Sequence, residues 1–293
     1  MSISQTPQVT VIIATYNKSE TLYHTIESVL WQTFTDFECW VIGDACTDDS
    51  ESVVASFKDP RLFWHNLEKN SGYQSAPTNE ALRRARGRYI AYLNHDDLWL
   101  PNHLQVLVDK IEGSETDFVC SIGELINPDG EYAHIPDYPN SPIAPEVSVT
   151  LHRRDVLNRI GYWKAPNEVR AIPRVDFFRR AQFTGMNFAI APYLTVLIFR
   201  RVEAGGRYSS LQAYMDKIRQ DPDFAAKELA KLLIDVNRKF EGPISLLQLR
   251  TKLLQSMRRM LLKRGIDPGI LKPWLRSGDR INKWRKNIGL DPK

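Results

Sequence analysis

The chain has 293 residues, 43% of them hydrophobic and 25% charged, the balance of a folded globular protein and not of a disordered or membrane-spanning one. It contains no run of about 18 apolar residues, so no bilayer-crossing helix is expected, and Met1-Ser-Ile-Ser-Gln-Thr-Pro7 lacks the basic and apolar regions of a secretory signal. The net charge of +4 conceals an asymmetry: residues 244–293 hold 13 Lys and Arg against three Asp, leaving 26 against 32 in the residues before them. Cys39, Cys46 and Cys120 are odd in number and lack metal-ligand spacing, and read as buried thiols in a reducing cytoplasm.

In chain order, Val9 to Ala14 is a β-branched strand that runs into the polar loop Thr15-Tyr16-Asn17. Ser19 to Thr33 reads as a helix with Ser19 as its cap and Leu22, Ile26, Val29 and Leu30 on one face. Phe37 to Ile42 is a second strand ending at Gly43-Asp44, a helix spans 50–57, and Leu62 to His65 makes a third strand. This alternation predicts a Rossmann-like, mostly parallel sheet flanked by helices. No Gly-x-Gly-x-x-Gly follows the first strand, which removes the main support for a dehydrogenase or methyltransferase. A turn-rich loop over 70–77 leads into a helix from Thr78 to Arg86, which Gly87 caps.

Tyr89 to Leu93 is then an apolar run of the kind a buried parallel strand requires. It stops at Asn94-His95-Asp96-Asp97, and Pro101 marks a new helix. Two carboxylates at the carboxyl end of a central strand repel unless a cation lies between them, and in an open α/β sheet ligands bind at that end. One reading is a divalent metal holding a phosphate-bearing substrate. The other is a polar strand-to-helix loop capped by Asp97 or Asn94.

Four motifs follow one another in order: Val-Ile-Ile-Ala-Thr-Tyr-Asn17, Val-Ile-Gly-Asp44-Ala-Cys-Thr-Asp48, Asn79…Ala85-Arg-Gly-Arg-Tyr-Ile90, and Leu-Asn-His-Asp-Asp97-Leu-Trp-Leu-Pro101. Together they resemble the family 2 glycosyltransferases, inverting enzymes of the GT-A fold, over residues 9 to about 200. The resemblance implies a catalytic domain over 1–205 and a helical, basic region over 206–293. It implies transfer of a sugar from a UDP-, GDP- or dTDP-linked donor to a glycan or lipid-linked acceptor, in bacterial surface polysaccharide synthesis. Thr15, Tyr16, Asn17 and Asp44 would contact the donor nucleoside, and Asn79, Asn94 and His95 would lie on the donor side. A carboxylate can accept hydrogen bonds from a base or ribose, and a tyrosine can support a ring.

The family's metal motif falls on Asn94-His95-Asp96, so Asn replaces its first acid, and Asp96 with Asp97 would hold Mg²⁺ or Mn²⁺. Strand alternation would turn His95 away from its neighbours' side. Asp176 matches the second acid of the family's Glu-Asp pair, with Val175 in place of the Glu, and would be the catalytic base, with Glu168 and Asp137 as fallbacks. The proline-rich loop 127–145 would lie over the acceptor, and Tyr132, Tyr138, Tyr162 and Trp163 would stack on sugars or simply pack. After Val196 to Arg201 the family's metal-binding His is missing, and Glu203 or a water would substitute.

Beyond Ser209 the pattern is helical over 211–218, 222–240 and 244–264. The last segment sets a Leu/Met stripe beside basic residues, and Trp274 and Trp284 follow. Such a tail suits an anionic membrane surface at the inner face of the cell membrane, RNA, or packing onto the acidic catalytic domain. Nucleic acid is not expected as a partner, because a nucleic-acid reading leaves Asp44, Asp96 and Asp176 unexplained. A sugar-nucleotide-binding relative without turnover is the competing reading, motivated by Asn94 and the missing His.

Overall fold

In the computed structural model, β1 (Val9–Thr15) forms the middle of a four-stranded parallel unit. The structure describes residues 6–127, 130–134, 144–199 and 207–230, together with Met260, Arg285, Lys286 and Gly289. Asp137, Tyr138, Glu203, Trp274, Trp284 and nearly all of the 244–264 stripe lie outside the described residues.

After β1 come α1 (Ser19–Leu30), β2 (Phe37–Gly43), α2 (Ser50–Ser56), β3 (Leu62–Asn66), α3 (Ser75–Arg84), β4 (Tyr89–Tyr92) and the two-residue β5 (Leu98–Trp99). Then follow α4 (His103–Glu112), β6 (Phe118–Asn127), β7 (Gly130–His134), β8 (Thr150–Arg153), α5 (Leu157–Ile160), α6 (Pro173–Phe183), β9 (Phe188–Phe199) and α7 (Arg207–Gln220). The described strands make one sheet in the order β3-β2-β1-β4-β8-β6-β9-β5, with β7 beside β6. Pairing is parallel from β3 to β4 and mixed beyond, where β8 runs antiparallel to both β4 and β6.

The two faces of the sheet follow the period-2 pattern of its strands. Val9, Val11, Ile13, Tyr89 and Ala91 meet Leu22, Ile26 and Val29 of α1 and Leu104, Leu107 and Ile111 of α4. Ile12, Ile42, Ile90 and Tyr92 face the other way, onto Ala81 and Leu82 of α3 and Phe177, Phe178 and Ala181 of α6. Each such buried aliphatic side chain contributes about 1.5–3 kcal/mol, so a register slip of one residue in β1 would undo both faces at once. Leu211, Met215 and Ile218 of α7 cover Leu98, Leu197 and Phe199 in a third cluster, so α7 shares the core of the sheet.

Element ends depart from the sequence reading where tertiary bonds intervene. α1 stops at Leu30, because Gln32 and Thr33 are tied to the carbonyls of Leu100 and Pro101. Pro101 opens no helix. Leu98 and Trp99 pair with β9, and α4 starts at His103. Gly87 sits after the end of α3, and a Cβ there would fall 2.4 Å from the backbone nitrogen of Thr10. Close approach to β1, and not capping, requires the glycine. Arg285 is 2% exposed and donates from Nη1 to the carbonyls of Pro166 at 3.2 Å and Val169 at 2.9 Å. The basic C-terminal stretch therefore touches the sheet domain at this point.

Candidate active site

The strand order reverses direction between β1 and β4, which in a doubly wound sheet opens a crevice at the carboxyl ends of the strands. A pocket of about 310 Å³ occupies that crevice. Ala14, Thr15 and Tyr16 after β1, Asp44 after β2, and Asn94, His95 and Asp96 after β4 line it. The fourth side is Asn70, Gly72, Tyr73 and Gln74, with Pro77 from α3. Tyr16 is 48% exposed at the mouth.

The loops are held by hydrogen bonds that the local sequence supplies. The Asp44 backbone N–H donates to the Thr15 carbonyl at 2.8 Å, extending the β1–β2 ladder by one bond. The Asp44 carboxylate accepts from Ser71 N–H at 2.9 Å and from the Ser71 hydroxyl at 3.0 Å, which folds loop 70–74 over the end of β2. Gly72 allows this fold with a φ of 74°. Asp48 accepts from the backbone of Ser19 and Ser50 and from the Ser50 hydroxyl, so it caps the starts of both α1 and α2. Burial opposes its ionisation, but these bonds outweigh it and hold the Asp48 carboxyl below its usual range.

At the end of β4, residues 94–97 close a turn through Asp97 N–H to the Asn94 carbonyl at 3.1 Å. The turn cancels strand alternation, and Asn94, His95 and Asp96 all line the pocket. This corrects the expectation that His95 turns away. Its Nδ1–H donates to the Ala14 carbonyl at 3.1 Å, and its Nε2 lies 4.0 Å from the Asp96 carboxylate.

Asp97 is corrected as a metal ligand. Its side chain is 1% exposed behind the turn, and it accepts from the Ser148 hydroxyl at 2.5 Å, Asn94 Nδ2 at 2.9 Å and the Phe199 N–H at 3.1 Å. Burial foremost, and then the charge of Asp96, push its carboxyl well above the ordinary carboxylate range.

Three further expected site residues do not reach the pocket. Asn17 exchanges hydrogen bonds with Thr47 and tethers the β1 loop to the β2 loop. Asn79 clamps the backbone of Trp163 through both ends of its amide, at 2.8 and 3.0 Å. Asp176 lies in the first turn of α6, where its carboxylate accepts from Arg180 Nε at 2.7 Å, one helical turn away. Arg180 in turn donates to the carbonyls of residues 160–162. Glu168 accepts from the Ala165 N–H. Trp163 is a core residue, buried and stacked on Phe177 at 5.1 Å, whereas Tyr162 is exposed. Tyr73 and Gln74, which line the pocket from the loop before α3, carried no motif.

Among the described residues no three His, Cys, Asp or Glu gather as a metal cage. Asp96 beside His95 does fit a cation that arrives with phosphate oxygens, since Mg²⁺ commonly takes only one or two protein carboxylates. A larger cavity of about 550 Å³ opens at the opposite ends of the strands, among Arg86, Arg88, Arg153 and Arg154 with Asp36 and Asp155. Most of its cations are committed. Arg86 binds Glu38, Arg153 binds the carbonyls of Ile111, Ser114 and Thr116, and Arg154 binds that of Ala85. Strand polarity and side-chain chemistry favour the smaller pocket.

The family model for Glycosyl transferase family 2 matches residues 10–187, more than half of the chain. The chain belongs to glycosyl transferase family 2. This family 2 chain is 36% identical over 113 residues to the UDP-Glc:alpha-D-GlcNAc-diphosphoundecaprenol beta-1,3-glucosyltransferase WfaP of Escherichia coli, a match covering 39% of the chain and 45% of WfaP. It spans less than half the length of several of the curated relatives it matches. Among solved structures it resembles S. aureus TarS 1-349 in complex with UDP-GlcNAc, with a TM-score of 0.59 at 18% identity, over 97% of this chain and 92% of that one. It also resembles the mannosyltransferase PcManGT from Pyrobaculum calidifontis in complex with GDP-Man and Mn²⁺, with a TM-score of 0.54 at 18% identity, over 92% and 88% of the two chains. These likenesses establish the GT-A fold of the family 2 chain.

Proposed function

We propose that the chain transfers a sugar from a nucleotide-sugar donor to a glycan or lipid-linked acceptor. The observation that carries this reading is the convergence of Tyr16, Asp44, His95 and Asp96 on one pocket at the reversal point of the sheet. At about 310 Å³ the pocket is at the small end of ligand sites. It suits the nucleoside diphosphate, with the sugar directed outward.

In this reading Tyr16 offers a ring face to the base. Thr15, Asn94 and the remaining acceptor capacity of Asp44 meet hydroxyls and N–H groups of the donor. Asp96 would hold Mg²⁺ or Mn²⁺ with His95 alongside, and the cation would neutralise the charge that develops on the departing diphosphate. His95 is fixed by its bond to the Ala14 carbonyl, which leaves Nε2 toward Asp96 and the pocket. UDP-GlcNAc in TarS and GDP-Man with Mn²⁺ in PcManGT support the donor class and the cation. The diphosphoundecaprenol acceptor in the name of WfaP supports a lipid-linked acceptor in surface polysaccharide synthesis. The enzyme would then work in the cytoplasm at the inner face of the membrane. No helix among the described residues is long and apolar enough to cross a membrane.

One observation favours a binding relative without turnover: Asp176 is bonded to Arg180 and does not line the pocket. A thermal-shift screen of UDP-, GDP- and dTDP-sugars with Mg²⁺ or Mn²⁺ tests the main reading. A true donor at 100 times its Kd should add about 2.7 kcal/mol of stability, and no stabilisation by any donor would overturn it. Turnover with a stabilising donor then separates enzyme from binder.

A further inference from the structure

Direct displacement at a sugar needs a group that takes the proton of the attacking hydroxyl. Asp176 does not line the pocket, and the carboxylates that do are Asp44, bonded to Ser71, and Asp96, assigned to the cation. A third carboxylate lies in the segment whose Ser148 braces the turn at Asn94. Glu146 is 29% exposed at its side chain and is ion-paired with Arg174, the second residue of α6, whose Nη1 also donates to the Pro145 carbonyl at 3.2 Å.

The residues that follow Glu146 bring its segment to the pocket. Ser148, two residues beyond Glu146, accepts the backbone N–H of Asn94 at 3.1 Å. Val147 borders a small cavity together with Ala14, Gln74 and Asn94, all three of which also line the main pocket. Tyr73, on the pocket wall, is close enough to feel the charges of both Arg174 and Glu146. The start of α6 thus sets the guanidinium of Arg174 against Glu146 from the segment before β8, while Asp176 pairs with Arg180 one turn on.

We infer that Glu146, aimed by Arg174, is the proton acceptor of the transfer reaction. The inference rests on the glycosyltransferase reading above. In the step, the acceptor oxygen forms a bond to the anomeric carbon and its proton passes to the Glu146 carboxylate. The bond from that carbon to the donor's phosphate oxygen breaks, and its electron pair leaves on the nucleoside diphosphate. Arg174 orients the Glu146 carboxylate through their ion pair.

The test uses the full chain with UDP-glucose, UDP-GlcNAc and GDP-mannose as donor probes and a GlcNAc-diphospho-lipid as acceptor, reading donor Kd by calorimetry and release of nucleoside diphosphate. Glu146→Gln should leave donor Kd within about twofold and lower kcat by about 10²-fold or more, and Glu146→Asp should recover part of the loss. Asp176→Asn should keep kcat within about threefold at unchanged Kd. If Glu146→Gln does not fold, Glu146→Asp decides, since a shorter carboxylate must still cost about tenfold in kcat. Near wild-type kcat in the Glu146 variants, or a kcat loss in Asp176→Asn as large as that expected for Glu146→Gln, overturns the inference. A wild type that binds none of the donors overturns the glycosyltransferase reading, and the inference falls with it.

Discussion

The hydroxyl of Ser148 donates to the carboxylate of Asp97 across 2.5 Å, and the same hydroxyl accepts the backbone N–H of Asn94 at 3.1 Å. One side chain from the segment before β8 therefore braces the turn that carries Asp96. Replacing it strands the Asn94 backbone donor and removes one of three bonds to the Asp97 carboxylate, at a cost of about 1–3 kcal/mol for the unsatisfied group. Ser148→Ala should lower the urea midpoint and weaken donor affinity together. A variant with wild-type stability would mean that water fills the gap.

Asp96→Ala should abolish the dependence of donor binding on Mn²⁺ while leaving the fold intact. Asp96 lies on a turn at the pocket, unlike Asp97, which is packed beneath it. Calorimetry with and without Mn²⁺ checks this, and unchanged affinity in the variant would remove Asp96 from the cation site.

Two buried histidines should lose their contribution to stability in mild acid. His152 accepts from the Tyr92 hydroxyl at 2.8 Å and donates to the Arg153 carbonyl at 2.7 Å, while His103 donates to Thr195 at 2.7 Å. Burial holds His152 down at about 4 and His103 at about 3. Both folded values lie below the unfolded one of about 6.5, so the unfolded chain binds more protons in between. The stabilising contribution is complete above about pH 6.5 and is lost as pH falls toward 4. The Asp97 carboxyl, raised in the folded state, acts in the opposite sense as pH falls, so the readout is a difference: the urea midpoint of wild type relative to His152→Gln should fall over that window.

The basic stretch 244–293 should bind vesicles containing phosphatidylglycerol and not phosphatidylcholine alone, with binding weakened by salt. Its excess of 13 basic residues over three acids carries the expectation, at about 1 kcal/mol for each cation near an anionic surface. Sedimentation at low and high salt measures it, and equal binding to both lipids would refute electrostatic docking. The bonds from Arg285 to Pro166 and Val169 predict that Arg285→Ala, in turn, destabilises the sheet domain.

The parallel unit was legible in the sequence because β1, β2 and β4 are apolar runs bounded by polar loops, and α1 keeps a helical stripe. The positions of Tyr16, Asp44, His95 and Asp96 at strand ends were legible for the same reason. Asp97 was not, because its partners Ser148 and Phe199 lie 51 and 102 residues away, and no local pattern records such pairings. Asp176 falls outside the pocket lining for a local reason. An acid four residues before an arginine on a helix satisfies that arginine first. Tyr73 and Gln74 were hidden because a loop wall shows no periodicity, and Glu146 because its arginine partner lies 28 residues downstream.

The bond from the Phe199 N–H to Asp97 also fixes an order of events during synthesis. The turn at residues 94–97 leaves the ribosome in the first third of the chain, yet its buried carboxylate waits for a strand end more than a hundred residues later. Loop closure over that distance is slow and entropically unfavourable. A nascent chain halted at residue 187, the limit of the family match, would carry every pocket-lining side chain and still lack the amide that locks the turn. A fragment that stops short of the end of β9 would leave this turn one bond short.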